Sequence, residues 1–97
     1  MFDWKFKTTF MKDFSIADIY WKKAIIDTYK RAFEEWKDNY VYLTELVIVL
    51  NWKIRQHYDK WNEELASVYN DLWWEADLYA QENLKWEEAK YFFTQTD

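Results

Sequence analysis

The chain has 97 residues, a formal net charge of −5, and no Gly, Pro or Cys. This length predicts one domain, and the missing cysteines exclude disulfide scaffolds, thiolate metal sites and a cysteine nucleophile. The missing glycines exclude the Gly-rich loops that bind phosphates and dinucleotides.

The first fourteen residues differ from the rest of the chain. Phe2, Trp4 and Phe6 alternate with charged residues, which is the period of a β-strand. Phe10 and Phe14, four residues apart, also fit a short lead-in helix. Because an isolated hairpin is marginally stable, we predict that residues 1–14 form an aromatic arm packed across a helical bundle.

The first strong helix is predicted over residues 15–38. Ser15 with Asp18 three residues later is similar to a capping box, and Asp38 with Asn39 interrupts the pattern at the other end. An apolar stripe at helical spacing lies between them. Its members are Ile19, Ile26, Tyr29, Phe33 and Trp36.

A second helix is predicted over residues 40–60, with Asn39 as its N-cap. Residues 46–50 are apolar on every side, which is typical of a helix with neighbours on several sides. Their β-branched side chains also fit a buried strand, but the periodic flanks favour a helix.

A third helix is predicted over residues 63–84, capped by Asn62. Residues 86–93 form either a short fourth helix or a continuation of the third, and residues 91–96 also suit a strand. The predicted fold is therefore an all-α, three-helix antiparallel bundle with an N-terminal aromatic arm, since short connections favour antiparallel neighbours.

Neither a membrane span nor a secretory signal is predicted. The longest apolar stretch, residues 46–50, has five residues, whereas a span needs about 20. Residues 1–7 lack the apolar region of a signal peptide. We therefore expect a cytoplasmic protein without membrane partners.

His57 is the only histidine and the first candidate for chemistry. It lies on the apolar stripe of the second helix, without a Ser, Cys or second His at helical spacing. A general base or metal ligand is one interpretation. The favoured interpretation is a partly buried histidine bonded to a carboxylate or a backbone carbonyl.

A carboxylate row follows one face of the third helix. Glu64, Asp71, Glu75 and Glu82 are spaced by seven, four and seven residues. Such a row binds metal when a second helix adds ligands, but the usual Glu-x-x-His pairs are missing. A solvated polar face is favoured, and an acidic docking surface is the functional alternative.

Aromatic residues are too numerous for one small core. The chain has 23 Phe, Tyr and Trp residues, and each buries about 150–250 Å² when covered. Trp36 and Trp61 lie on predicted core stripes, whereas Trp21, Trp74 and Trp86 lie off them. The latter three are candidate interface residues, because aromatic anchors dominate binding energy.

The arm offers a third candidate, since its rings and lysines could stack bases and contact phosphates. An acidic chain repels a polyanion, however, so no direct nucleic-acid binding is expected. Residues 1–37 carry a net +2 and residues 38–97 a net −7, which predicts that the first helix lies beside the third.

Two short segments, residues 15–18 and 94–97, together with residues 42–54, resemble small uncharacterised helical proteins carried on mobile elements of gut-type bacteria. The resemblance implies a bacterial accessory protein, but no known activity and no functional residues. It also implies glycines near Trp21 and Trp86, where this chain carries large rings.

These observations favour a non-enzymatic protein-interaction module that binds a protein partner or a second copy of itself and needs no cofactor. Its predicted surface is acidic and rich in aromatic rings, and one form of this function is an inhibitor that mimics nucleic acid. The alternative is a metal-dependent enzyme that combines the carboxylate row with His57.

Overall fold

Five α-helices make up the described part of the chain. A computed structural model describes the backbone of residues 4–96 and the side chains of residues 7–96. The helices are α1 (Trp4–Ile19), α2 (Lys22–Trp36), α3 (Tyr40–Asp59), α4 (Glu63–Asn83) and α5 (Trp86–Thr96). The all-α class is confirmed, and the described residues contain no strand.

The central helix is α3, which packs against all four other helices and most extensively against α4. Leu46, Val47, Val49 and Leu50 are fully buried, as the all-round apolar pattern predicts. The predicted caps of the two long helices are also confirmed. Asn39 Oδ1 accepts from the backbone N–H of Val41 and Tyr42, and Asn62 Oδ1 accepts from that of Leu65.

The predicted N-terminal arm is wrong for residues 4–14, which belong to α1. Phe10, Phe14 and Ala17 are buried at spacings of four and three residues, and this helical face outweighs the strand-like alternation before it. Phe2, where the alternation begins, lies outside the described residues. Ser15 is an exposed residue inside α1 and starts no helix.

The predicted helix over residues 15–38 is also wrong, because the chain turns at Tyr20 and Trp21. Trp21 has φ 79° and ψ −166°, a conformation that is almost confined to glycine. The backbone N–H of Tyr20 bonds the carbonyl of Ala17 at 3.0 Å and closes α1. Ile19 therefore lies at a helix end, where it is exposed rather than in the core.

The C-terminal segment is a separate helix, α5, and not a continuation of α4. Leu84 leaves helical geometry with ψ 139°, and α5 begins two residues later. Residues 4–96 thus form five helices instead of three with a short fourth. No helix within residues 4–96 has the length and apolar character needed to cross a membrane.

Candidate functional site

The outer face of α4 carries most of the predicted interaction residues. Asp71 lies three and four residues before the adjacent pair Trp74 and Glu75, Leu78 lies four and three residues after that pair, and Glu82 follows four residues later. At this spacing the five residues share one side of the helix. Trp74 is 58% exposed and Leu78 is 54% exposed, and the three carboxylates beside them are exposed as well. We call these five residues the α4 face.

The remaining predicted residues lie near the two ends of α4. Lys22 Nζ is 3.2 Å from Glu64 and 5.9 Å from the ring centre of Trp21, so Trp21 is close to the first turn of α4. Trp86 starts α5 just after α4 ends, and it is 83% exposed. Trp61, which was predicted in the core, is exposed instead because it occupies the turn before α4.

One member of the carboxylate row acts on a buried group. Tyr29 on α2 is fully buried, and its hydroxyl has no hydrogen-bond partner among the described residues. Burial raises the pKa of this hydroxyl, and the Glu75 carboxylate raises it further. Glu75 therefore helps to keep Tyr29 neutral, while Glu64 pairs with Lys22 and all four carboxylates of the row are exposed.

A buried polar cluster joins α1, α3 and α4, and it was not predicted from the sequence. At its centre, Asp18 Oδ2 accepts from Lys53 Nζ at 2.5 Å and lies 3.1 Å from His57 Nε2. The other oxygen, Oδ1, accepts from the Tyr69 hydroxyl at 2.5 Å. The His57 and Tyr69 rings stack with their centres 5.5 Å apart. We call these four residues the Asp18 cluster.

Each member of the Asp18 cluster is fixed by its neighbours. A carboxylate only accepts hydrogen bonds. Nε2 of neutral His57, the nitrogen that faces Asp18, therefore carries the proton and donates to the carboxylate. Burial raises the pKa of Tyr69, and its bond to Asp18 adds to the effect, so Tyr69 stays a neutral donor. Lys53 is fully buried, and its charge is balanced by that of Asp18.

The cluster links three helices, and its polar groups converge on Asp18 rather than on an opening. Lys53, His57 and Tyr69 are all buried. The interpretation of His57 as a histidine bonded to a carboxylate is confirmed, and that carboxylate is Asp18 on α1 rather than a member of the row. Among the described residues, no group of three or more His, Asp or Glu side chains could hold a metal.

Acid should weaken the fold through His57. Its environment lowers its pKa, mainly through burial, and Lys53 and Lys60 add to this effect while Asp18 opposes it. Protonation would also place a donor at Nδ1, which is buried and has no hydrogen-bond partner in the described part of the chain.

Since the pKa of His57 is lower in the folded chain, the unfolded chain binds more protons as the pH falls below about 6.5. The free energy of unfolding should then decrease between pH 7.5 and pH 5.5. Urea titrations at each pH measure this slope. A His57→Gln variant should have a shallower slope, and equal slopes would contradict the assignment.

Comparison of the chain with protein-family models, with curated proteins and with solved structures finds no match. The resemblance to small proteins of mobile elements therefore stays a prediction. Any function must be argued from the surfaces and clusters of the molecule itself.

Proposed function

We propose that this chain is a non-enzymatic protein-interaction module that binds its partner through the α4 face. The observation that supports this function best is the pair of exposed apolar side chains, Trp74 and Leu78, among Asp71, Glu75 and Glu82. Half-exposed apolar side chains surrounded by charge are typical of interface anchors with a polar rim.

The geometry of α4 suits this role. The ring of Trp73, which is half-buried, meets Trp74 edge to face at 5.3 Å and supports its position. A pre-positioned ring loses little conformational entropy on binding. From Glu64 to Glu82 the carboxylate row spans about 27 Å at 1.5 Å per residue, which is long enough to contact an extended partner surface.

Charge indicates a cationic partner. The net charge of −5 and the exposed row favour fast association with a positively charged surface. A mobile-element protein that covers the nucleic-acid-binding surface of another protein is one form of this function. Self-association through Trp74 and Trp86 is the other form, and solution mass by light scattering distinguishes the two.

The test replaces the two apolar anchors. The Trp74→Ser/Leu78→Ser variant, when immobilised, should retain at least about tenfold less partner from a bacterial lysate than the natural chain retains. The reason is that truncating each anchor costs about 1–2 kcal/mol of binding free energy. Alanine at the four row carboxylates should weaken capture as well.

An Ile19→Ser/Tyr58→Ser variant is the matched control, since it removes two exposed apolar side chains outside α4. This control should keep full capture, and circular dichroism should show all variants folded. At least one protein should be retained by both the natural chain and the control but lost from the α4 variant. If there is no such protein, the proposal is wrong.

A further inference from the structure

We infer that the groove between α1 and α2 is a second binding site, which takes a cationic amphipathic helix from another protein. The groove has a volume of about 1060 Å³ and runs along both helices. It is separate from the α4 face, because all of its lining residues belong to the first two helices and the turn between them.

The shape of the groove fits a helix. Its lining follows one side of each helix, from Thr9 to Tyr20 along α1 and the turn after it, and from Ala24 to Trp36 along α2. Each of these helix faces is about 17 Å long at 1.5 Å per residue. The space beside two packed helices of this length holds a third helix of about three turns.

The floor of the groove is apolar and includes small side chains. Phe10 and Ala17 are buried and belong to the core, and Ala24 and Ala32 are half-buried beside them. Small side chains let the backbone of a neighbouring helix approach closely. Ile16 and Tyr20 are exposed along the α1 side, where they offer apolar surface that a partner would cover.

The charge of the rim selects the partner. Asp13 on α1 and Asp27 and Glu35 on α2 line the groove, and Arg31 is the single cation of its lining. Lys23 Nζ lies 3.8 Å from the Asp27 carboxylate, so with this neighbour three carboxylates face two cations and the rim stays net negative. An apolar floor with a net negative rim complements an amphipathic helix whose apolar face is rich in leucine and is flanked by lysine or arginine.

The probe is a fluorescent peptide of about 14 residues. Leu occupies the positions of one helical stripe (i, i+3, i+4, i+7 and onwards), and Lys occupies the other positions. Fluorescence anisotropy should show saturable binding that weakens as salt is raised. A peptide with Glu in place of Lys, and a scrambled Leu/Lys peptide without the stripe, should each bind at least about tenfold more weakly.

Two double variants locate the binding site. Asp13→Lys/Glu35→Lys reverses the groove rim, and Asp71→Lys/Glu82→Lys reverses two carboxylates of the α4 face. Both shift the net charge of −5 by the same four units. The groove variant should lose about tenfold in affinity, whereas the α4 variant should stay within about threefold of the natural chain.

A third variant tests shape without charge. Thr28 is half-buried in the groove lining, so the larger ring of Thr28→Trp should obstruct a partner helix and weaken peptide binding at least about tenfold while circular dichroism stays unchanged. Four outcomes overturn the inference: no binding by the natural chain, equal loss in both charge variants, loss in the α4 variant alone, or full binding by Thr28→Trp. Loss in the α4 variant alone would favour the proposed function, and the other three outcomes leave that proposal standing.

Discussion

An Asp18→Asn variant should lose about 3 kcal/mol of its free energy of unfolding. Removing one partner of a buried ion pair costs about 3–5 kcal/mol, because the remaining charge stays buried without compensation. Here the remaining charge is that of Lys53, whose side chain is fully buried. For a chain of this size the melting temperature should fall by about 15 °C, which thermal melts followed by circular dichroism would show.

Two further variants separate the loss of charge balance from the loss of shape. Asp13→Asn is the matched control, since Asp13 is an exposed residue of the same helix, and its effect should stay within about 0.5 kcal/mol. Asp18→Asn/Lys53→Met should regain most of the lost stability because no unpaired charge remains. A double variant as unstable as Asp18→Asn alone would contradict the role given to Lys53.

A Trp61→Gly variant should raise the free energy of unfolding by about 1 kcal/mol. Trp61 has φ 60°, and a residue with a Cβ atom pays about 1–2 kcal/mol in the left-handed region. Its ring is 87% exposed, so little packing is lost on removal. Part of the gain is offset because glycine makes the unfolded chain more flexible. The midpoint of urea unfolding measures the change.

Trp86→Gly is the matched control for this substitution. Trp86 is 83% exposed, close to the exposure of Trp61, but it starts a helix and has no positive φ. Glycine there should lower the free energy of unfolding by about 0.5 kcal/mol, because glycine is a poor helix former. Shifts of the same sign in the two variants would show that backbone strain at Trp61 is not the cause.

The long helices could be predicted from the sequence because their signals are local. Asn39 and Asn62 bond backbone N–H groups two or three residues away, and the apolar run of residues 46–50 reflects burial on several sides. α3 and α4 begin and end within one residue of the predicted positions. The turn at Tyr20 and Trp21 could not be predicted, because neither glycine nor proline marks it.

The carboxylate row could likewise be predicted from the sequence, whereas the Asp18 cluster could not. The carboxylate row depends on spacing within one helix, so its shared face follows from residue numbers alone. The Asp18 cluster depends on the packing of α1, α3 and α4, and the sequence separations of its hydrogen bonds are 35, 39 and 51 residues. The one local signal was Lys53 four residues before His57, which places both on one side of α3.

These separations also bear on how the protein is made. During synthesis α1 leaves the ribosome before α3 and α4, so the side chains that hold Asp18 follow only at Lys53, His57 and Tyr69. Until Tyr69 is made, Phe14 also lacks the ring that packs against it in the folded chain. The nascent chain therefore exposes apolar faces of α1 and α2 before α4 is complete, and such exposed surface promotes aggregation.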